Sequence, residues 1–142
     1  MQLVKINESL PTPAPRTPSS GGIDLHANIE EEITLQPGES CMISTGVRVA
    51  IPEGYVGMLF PRSGKGSSGM QLKNTVGIID ADYRGEVFAN VRNYETDSLR
   101  IAPAERFVQL VIVSIMTPRI LVVDELEATV RGEGGFGSTG TH

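Results

Sequence analysis

Two carboxylates and a tyrosine stand close together in the run NTVGIIDADYRGEV, residues 74–87. Its apolar residues predict a strand with buried Ile78 and Ile79 before Asp80, and a second strand after Gly85, which together indicate a β-hairpin. An ordinary hairpin turn, the alternative interpretation, needs one Asp and a Gly but not a second Asp, a Tyr and an Arg. A carboxylate beside apolar residues can hold a water and accept its proton, and a tyrosine ring can pack against a sugar. The run is therefore a candidate catalytic site.

A second run that could do chemistry is PRSGKGSSG, residues 61–69. The planar guanidinium of Arg62 suits phosphate oxygens, and Ser63 with the backbone N–H groups around Gly64 could form an anion nest. The alternative is a solvated surface turn. The glycine spacing does not fit a Walker loop, and a glycine follows Lys65 where that motif has Ser or Thr. A Ser–Lys hydrolase is disfavoured, because Ser63 and Lys65 do not have S-x-x-K spacing.

The chain ends in a glycine-rich strip with one large aromatic residue, RGEGGFGSTGTH at residues 131–142. Glycine loses more conformational freedom on ordering than any other residue, so this strip is expected to be flexible on its own. Its GxGxxG spacing matches a dinucleotide fingerprint formally, but only five residues follow Gly137, too few for the helix that would hold a pyrophosphate. A disordered terminus is the simplest interpretation of the strip alone.

The elements that must position these residues are short β-like runs separated by turn formers. Val47, Val49 and Ile51 alternate with Arg48 and Ala50, the period of two that is typical of half-buried strands. The predicted strands are QLVKI, EITL, SCMISTGVRVAI, YVGMLF, VGII, GEVFANVR, SLRIA, RFVQLVIVSIM and RILVV. LPTPAPRTPSSGG is predicted to be an extended lead-in, and VDELEA could form one helical turn. The pattern predicts one all-β domain, a sandwich or barrel.

Composition excludes several classes of protein. With 12 basic and 17 acidic residues in 142, the net charge of −5 argues against nonspecific binding to nucleic acid or an anionic membrane. The single cysteine, Cys41, allows no intrachain disulfide, and one Cys with two His cannot form the usual zinc sites. No apolar run is long enough to span a bilayer, and the N-terminus lacks a signal-peptide pattern. We therefore expect a soluble intracellular domain without zinc-dependent chemistry.

Five motifs together resemble those of the trimeric dUTP pyrophosphatases (dUTPases), in the family's order over nearly the whole chain. They are GGIDLHA, PRSGKG, NTVGIIDADYRGEV, ERFVQLVI and RGEGGFGSTG. The resemblance implies a jelly-roll β domain over residues 1–130, a flexible C-terminal lid over residues 131–142, and a homotrimer whose active sites are shared between subunits. It implies Mg²⁺-dependent hydrolysis of dUTP to dUMP and pyrophosphate, which limits uracil in DNA and supplies dUMP for thymidylate synthesis. The implied location is cytoplasmic, or the host cytoplasm or nucleus for a viral chain.

The resemblance also implies roles for individual residues. Asp80 would be the base that deprotonates the attacking water, and Tyr83 would lie under the deoxyribose and exclude a 2′-hydroxyl. Asp24 would reach Mg²⁺ through its water shell, while Asp82 would support the turn. The implied uracil contacts are Asn74, Gly77 and Ile79, and the implied phosphate contacts are Arg62, Ser63, Gly64 and Gln109. The implied lid contacts are Arg131 on the phosphates, Phe136 on the uracil ring, and Gly137, Ser138 and Thr139 around the phosphates.

Two departures and two rival functions remain open at this level. The family usually has a small or apolar residue where this chain has Lys65, which could strengthen phosphate binding or point to solvent. It commonly has Tyr or Leu where this chain has Ile23. A dCTP deaminase would need a Glu on the strand after the hairpin, where VFANVR has none and Glu86 precedes it. A regulator that binds another protein, with nucleotide as its switch, is the second rival.

Overall fold

Two four-stranded antiparallel sheets make up most of the computed structural model, which describes residues 1–135. The first sheet has the order β1-β4-β8-β6, the second β2-β10-β5-β7, and β3 pairs with β9. The elements are β1 (Gln2–Lys5), β2 (Gly22–His26), β3 (Ile33–Leu35), β4 (Ser40–Ala50), β5 (Tyr55–Pro61), α1 (Ser63–Ser67), β6 (Met70–Leu72), β7 (Gly77–Ile79), β8 (Glu86–Asn93), β9 (Leu99–Ile101) and β10 (Arg106–Ser114). The predicted all-β jelly roll is confirmed.

The core lies between the two large sheets. Val87, Ala89 and Val91 of β8 point into it, as the alternating pattern predicted, and Phe88 between them is exposed. On the facing sheet, Val108 and Leu110 of β10 are fully buried. Gln109, which lies between these two, is therefore directed to the outer face of the second sheet. Burial of the core residues fixes which side chains of β10 can reach a ligand.

Gly46 marks a bulge in β4, where the register against β8 shifts between Ser44 and Arg48. Its φ is +68°, a left-handed conformation that favours glycine. A Cβ at this position would come within 2.8 Å of the Leu10 side chain. The bulge therefore needs glycine both for its backbone conformation and for the close packing of the N-terminal segment.

The predicted β-hairpin is wrong, because the strands on either side of Asp80 lie in different sheets. β7 pairs with β5 of the second sheet, whereas β8 pairs with β4 and β6 of the first. The acidic turn therefore connects the two layers of the jelly roll. Ile78 was expected to be buried but is 56% exposed, because β7 is an edge strand and alternation turns this side chain outward.

Further local predictions need correction. RILVV forms no strand and VDELEA no helical turn, and the last strand ends at Ser114. Conversely, β2, β6 and the short helix α1 were not among the predicted elements. LPTPAPRTPSSGG forms no strand before Gly22 and joins the fold through a bridge between Pro15 and Ile23, but it is not extended throughout as predicted, because residues 17–20 form a turn in which the Ser20 N–H donates to the Thr17 carbonyl at 3.0 Å. The boundary between the β domain and the C-terminal lid, between residues 130 and 131, stays a prediction.

Among the described residues, no helix has the length and the apolar character needed to cross a membrane.

Candidate active site

A cluster of charged side chains surrounds Asp24 on the outer face of the second sheet. The Asp24 Oδ1 atom accepts a hydrogen bond from Arg62 Nε at 2.8 Å, and Oδ2 accepts one from Arg106 Nη1 at 3.1 Å. Asp24 is only 8% exposed, so these ion pairs are partly shielded from water and hold the carboxylate in one orientation. Asp24 therefore fixes the guanidinium group that sequence reasoning assigned to phosphate.

Gln109 joins this cluster through the sheet register. It lies opposite Asp24 of β2 and opposite Phe60 of β5, and its Nε2 donates to the Pro61 carbonyl at 3.1 Å. Gly22 makes room for the amide, since a Cβ there would overlap Gln109 Oε1. Sheet pairing thus brings an aspartate, a glutamine and the end of β5 to one place.

The phosphate-binding residues predicted from the second motif begin where β5 ends. The Arg62 N–H donates to the Phe107 carbonyl at 3.0 Å, which ties the end of β5 to β10. Ser63 and Gly64 then open α1, where the first N–H groups have no intrahelical partner. A pocket on this surface brings together most of the predicted phosphate contacts: its lining residues are Arg16, Ser20, Gly21, Gly22, Asp24, Arg62, Ser63 and Gln109.

The predicted base lies elsewhere, just beyond β7. The Asp80 side chain is exposed, and within residues 1–135 its carboxylate has no hydrogen bond or ion pair. It lines a pocket with Asp82 and Arg84 that includes none of the predicted phosphate contacts. Ile79 pairs with Gly57 near the start of β5, whereas Arg62 follows its end, so Asp80 and Arg62 lie roughly 16 Å or more apart along the strand. One chain therefore does not bring the base to its own phosphate pocket.

Tyr83, which was predicted to lie under the deoxyribose, is held in place by two hydrogen bonds. Its backbone N–H donates to the Asp80 carbonyl at 3.1 Å, and its hydroxyl donates to the Glu86 carbonyl at 3.0 Å. The ring lies against Gly85, where a Cβ would overlap the phenol. The residue is nevertheless 43% exposed, so one part of the ring is free to contact a ligand.

The residues predicted to read uracil flank or form the edge strand β7. Asn74 is exposed beside Thr75, whose φ of +66° is unusual for a β-branched residue and marks a strained turn. Gly77 packs against Leu59, and Ile79 is half-buried. Within residues 1–135, β7 has a strand partner on only one side, so the backbone groups along its other edge are available to a base.

Sequence reasoning missed two arginines of this surface. Arg106 pairs with Asp24 from 82 residues away, and Arg16 lines the pocket that holds Arg62 and Ser63. Arg106 follows Glu105 in a motif where only Gln109 had been singled out, and Arg16 stands in a Pro-rich run taken as a lead-in. Arg106 could have been recognised as a partner of Asp24 only if the pairing of β2 with β10 had been known.

His26 is a buried histidine at the edge of the Asp24 cluster. Its Nδ1 has no hydrogen-bond partner in the described residues. Burial lowers the pKa of His26 from its ordinary value, Arg106 and Arg62 lower it further, and the Asp24 carboxylate opposes the shift. A neutral imidazole is therefore favoured beside the two arginines.

The structure gives contacts for two of the residues whose roles the sequence did not decide, Lys65 and Glu86. Lys65 donates to the Arg100 carbonyl and pairs with Glu105, so it neither points to solvent nor lines the phosphate pocket. Glu86 accepts hydrogen bonds from Ser44 Oγ and the Gly46 N–H. Asp82 is exposed, and its role stays a prediction. The Lys65 contacts also disfavour a Ser63–Lys65 hydrolase pair.

The lid residues are described only in part. Arg131 donates to the Gly134 carbonyl at 2.9 Å and is not brought into the phosphate pocket. Phe136, Gly137, Ser138 and Thr139 lie outside the described residues.

The donor set near Asp24 fits a metal ion only through water. No cluster of three or more His, Cys, Asp or Glu side chains occurs between residues 1 and 135, and both Asp24 oxygens already accept from arginines. Magnesium commonly keeps several waters and binds through substrate phosphates, and the remaining carboxylate lone pairs could accept from such waters. This surface therefore suits an ion carried in by a polyphosphate.

The comparisons with known proteins agree with one another. A dUTPase family model matches residues 8–140. A deoxyuridine 5'-triphosphate nucleotidohydrolase of Thiobacillus denitrificans is 43% identical over 96% of this chain and 93% of its own length. Its counterpart in Chromobacterium violaceum is 45% identical over 90% and 87%, respectively.

Solved structures give the same result. The dUTPase of Staphylococcus bacteriophage 80alpha with dUPNHPP has a TM-score of 0.87 and 33% identity, over 99% of this chain and 98% of that one. The dUTPase of phage phi11 of S. aureus has a TM-score of 0.79 and 29% identity, over 90% and 98%. Similarity of this extent, in sequence and in fold, shows that the chain belongs to the dUTPase family.

Proposed function

We propose that this protein hydrolyses dUTP to dUMP and pyrophosphate. The observation that carries the proposal is the joint placement of Asp24, Arg62, Ser63 and Gln109 around one pocket in a chain of the dUTPase family. The relatives named above are nucleotidohydrolases of deoxyuridine 5'-triphosphate, and one solved neighbour holds dUPNHPP. A cytoplasmic location remains a prediction from the sequence.

The phosphates would bind in the pocket beside α1. Arg62 is oriented by Asp24 and offers its remaining guanidinium N–H groups, while Ser63 and the N–H of Gly64 offer donors at the start of the helix. Arg16 adds a second positive charge to the same pocket. Donors fixed before the reaction stabilise the charge that develops on a leaving pyrophosphate without needing to reorganise. Arg131 and the lid residues would complete this cage.

The nucleoside would bind along β7 and the turn that follows it. Asn74 and the free backbone edge at Gly77 and Ile79 would hydrogen-bond the uracil. Tyr83, held by its two hydrogen bonds above Gly85, would lie under the deoxyribose and leave no room for a 2′-hydroxyl. The site would thereby select both the base and the sugar.

Asp80 would act as the general base. Its exposed carboxylate has no partner in residues 1–135, so it is free to accept a hydrogen bond from a water molecule. The water would transfer a proton to Asp80 as its oxygen attacks the α-phosphorus in line, and the bond to the bridging oxygen of pyrophosphate would break. The Asp80 carboxyl would later release the proton to solvent.

We propose Mg²⁺ as the cofactor, held mainly by the triphosphate, with Asp24 contacting its water shell. The ion would help neutralise the negative charge of the phosphates. Asp24 contributes by keeping Arg62 in place and by accepting hydrogen bonds from metal-bound water on its free lone pairs.

We also propose a homotrimer with shared sites. The separation of Asp80 from Arg62 along β5 supports this proposal, because the base of one chain would then meet the phosphate pocket of another. The segment after β10 supports association, because it presents apolar side chains without cover from residues 1–135; Val122 is 97% exposed and Leu126 89%. Exposed apolar surface of this kind is typical of a protein interface.

The dCTP deaminase alternative has less support. Its proton shuttle would require a free Glu near the nucleobase, and Glu86 is the only acid of β8. Its carboxylate is committed to Ser44 and Gly46 across the strand pair.

An assay of pyrophosphate release with Mg²⁺ tests the proposal, using dUTP, dCTP, dTTP and UTP with the parent and Asp80→Asn. We expect turnover of dUTP only, and a loss of at least about 100-fold in Asp80→Asn. Ammonia release from dCTP would instead identify a deaminase. Binding of dUTP without turnover would contradict the enzyme and leave a nucleotide-dependent regulator, which a dUTP-dependent pull-down would then address.

A further inference from the structure

The helix that carries the predicted phosphate contacts has no hydrophobic anchor. α1 is five residues long, two of them glycine, and none of its residues is buried. Helices this short are unstable on their own, and glycine weakens them further. Some other contact must therefore hold Ser63 and Gly64 in place at the end of β5.

Lys65 provides that contact. Its ammonium donates to the Arg100 carbonyl at 2.7 Å and lies 2.7 Å from Glu105 Oε1. The Lys65 side chain is only 18% exposed, so the ion pair is partly shielded from solvent. One side chain thus ties α1 to β9 and to the start of β10.

The partner of Lys65 is itself held in place by two hydrogen bonds from backbone N–H groups. Glu105 Oε2 accepts from the Ala102 N–H at 3.0 Å, and the Glu105 carbonyl accepts from the Ala27 N–H at 2.8 Å. Arg106 follows directly and reaches Asp24. The Lys65–Glu105 pair therefore connects α1 to the same part of β10 that orients Asp24 and, through it, Arg62.

The direction of the Lys65 side chain argues against a direct phosphate contact. It lines a surface depression with Glu95, Asp97 and Arg100, and not the pocket of Arg62 and Ser63. We infer that Lys65 is a positioning residue, which with Glu105 fixes α1 so that Ser63 and Arg62 can bind the nucleotide phosphates. This inference rests on the proposed function of that pocket.

The test compares Lys65→Met, Glu105→Gln and the double variant in dUTP hydrolysis. We expect the KM for dUTP to rise about five- to tenfold in each single variant and by no more in the double variant, because all three remove the same Lys65–Glu105 ion pair. Lys65→Arg should have a KM for dUTP close to the parental value, because a guanidinium can also pair with Glu105. Lys5→Met is the matched control: Lys5 is also 18% exposed and donates to a carbonyl, but in β1.

The direction in which Glu105→Gln changes the KM for dUTP shows whether Lys65 positions α1 or binds phosphate directly. If Lys65 contacted phosphate, removing the Glu105 charge would leave it freer to do so and would lower KM. A lower KM in Glu105→Gln, additive effects, or parental KM values with only a lower melting temperature would each overturn the inference. A parent chain that does not hydrolyse dUTP would instead contradict the proposed function, whatever the variants do.

Discussion

Asp24 is the residue on which the geometry of the proposed phosphate pocket depends. Each of its oxygens accepts from a different arginine, and only 8% of the residue is exposed. A hydrogen bond to a charged group contributes more than one between neutral groups, and an unpaired buried charge is costly. Loss of Asp24 would therefore leave Arg62 and Arg106 without a common partner and free to reorient.

Gly85 controls the position of the Tyr83 ring, the proposed sugar platform. In Gly85→Ala, the added methyl group would overlap the Tyr83 phenol and displace the ring. We expect the KM for dUTP to rise roughly tenfold, a change of about 1.4 kcal/mol, and discrimination against UTP to fall. Steady-state kinetics with both nucleotides, alongside the melting temperature, measure this. A parental preference for dUTP in a well-folded Gly85→Ala variant would contradict the role of Tyr83.

His26 makes stability depend on pH. Because its folded-state pKa lies below the ordinary value, the unfolded chain takes up a proton that the folded chain does not as the pH falls below about 6.5. Its contribution to stability is thus fully present above that pH and is lost as the pH falls through the folded-state pKa. The charged groups around it are Arg106, Asp24 and Arg62, and Arg16 lines the same pocket.

Urea unfolding from pH 5 to 7.5 measures this effect. We expect His26→Asn to show a smaller loss of stability on acidification than the parent. Equal slopes for the parent and His26→Asn would show that His26 has the same pKa in both states.

At the scale of the elements, local pattern predicts strands but not their partners. The side chains of β8 alternate strictly between the core and the outer face, so this strand could be predicted from the sequence. β2 was missed although Ile23 and Leu25 alternate with Asp24 and His26, because this alternating run is short and directly follows a Pro-, Ser- and Gly-rich segment. The hairpin around Asp80 was wrong for another reason: β8 pairs with β4, and the sequence around the turn contains no information about that distant partner.

The candidate site shows the same difference between what a local motif predicts and what depends on strand pairing. Arg62 and Ser63 could be proposed from their types and Gln109 from the resemblance to the family, and the structure places all three around one pocket. The contacts that orient them could not be identified, because Asp24 and Arg106 are separated by 82 residues and meet only through the pairing of β2 with β10.

The bulge in β4 allows a matched test of backbone and packing effects. Gly46 and Gly54 both have positive φ, +68° and +82°, but a Cβ at Gly46 would meet Leu10 whereas a Cβ at Gly54 would meet nothing within 4 Å. We expect Gly54→Ala to lower the free energy of unfolding by about 1 kcal/mol and Gly46→Ala by about 2–4 kcal/mol. Denaturant unfolding of both variants checks this. Equal losses would mean that the segment around Leu10 yields to the methyl group without cost.

At the scale of the whole molecule, the sheet pairing makes a prediction about assembly. β5 is too long for Asp80, beside its start, to act on a phosphate bound at its end, so each site should combine residues of different chains. Asp80→Asn and Arg62→Ala should each be nearly inactive alone, because each removes one half of every site. In mixed trimers, however, some sites take an intact Asp80 from one chain and an intact Arg62 from another.

Co-expression of the two variants with different affinity tags, followed by purification on both tags, tests this sharing. Every trimer that carries both tags has one such site of its three, so we expect about a third of the parental activity per site, far above either variant alone. The oligomeric state is measured on the same sample by light scattering. A mixed assembly no more active than the separate variants would show that each site uses Asp80 and Arg62 of one chain. That result would require β7 and the following turn to rearrange, because their present pairing with β5 keeps the two residues apart.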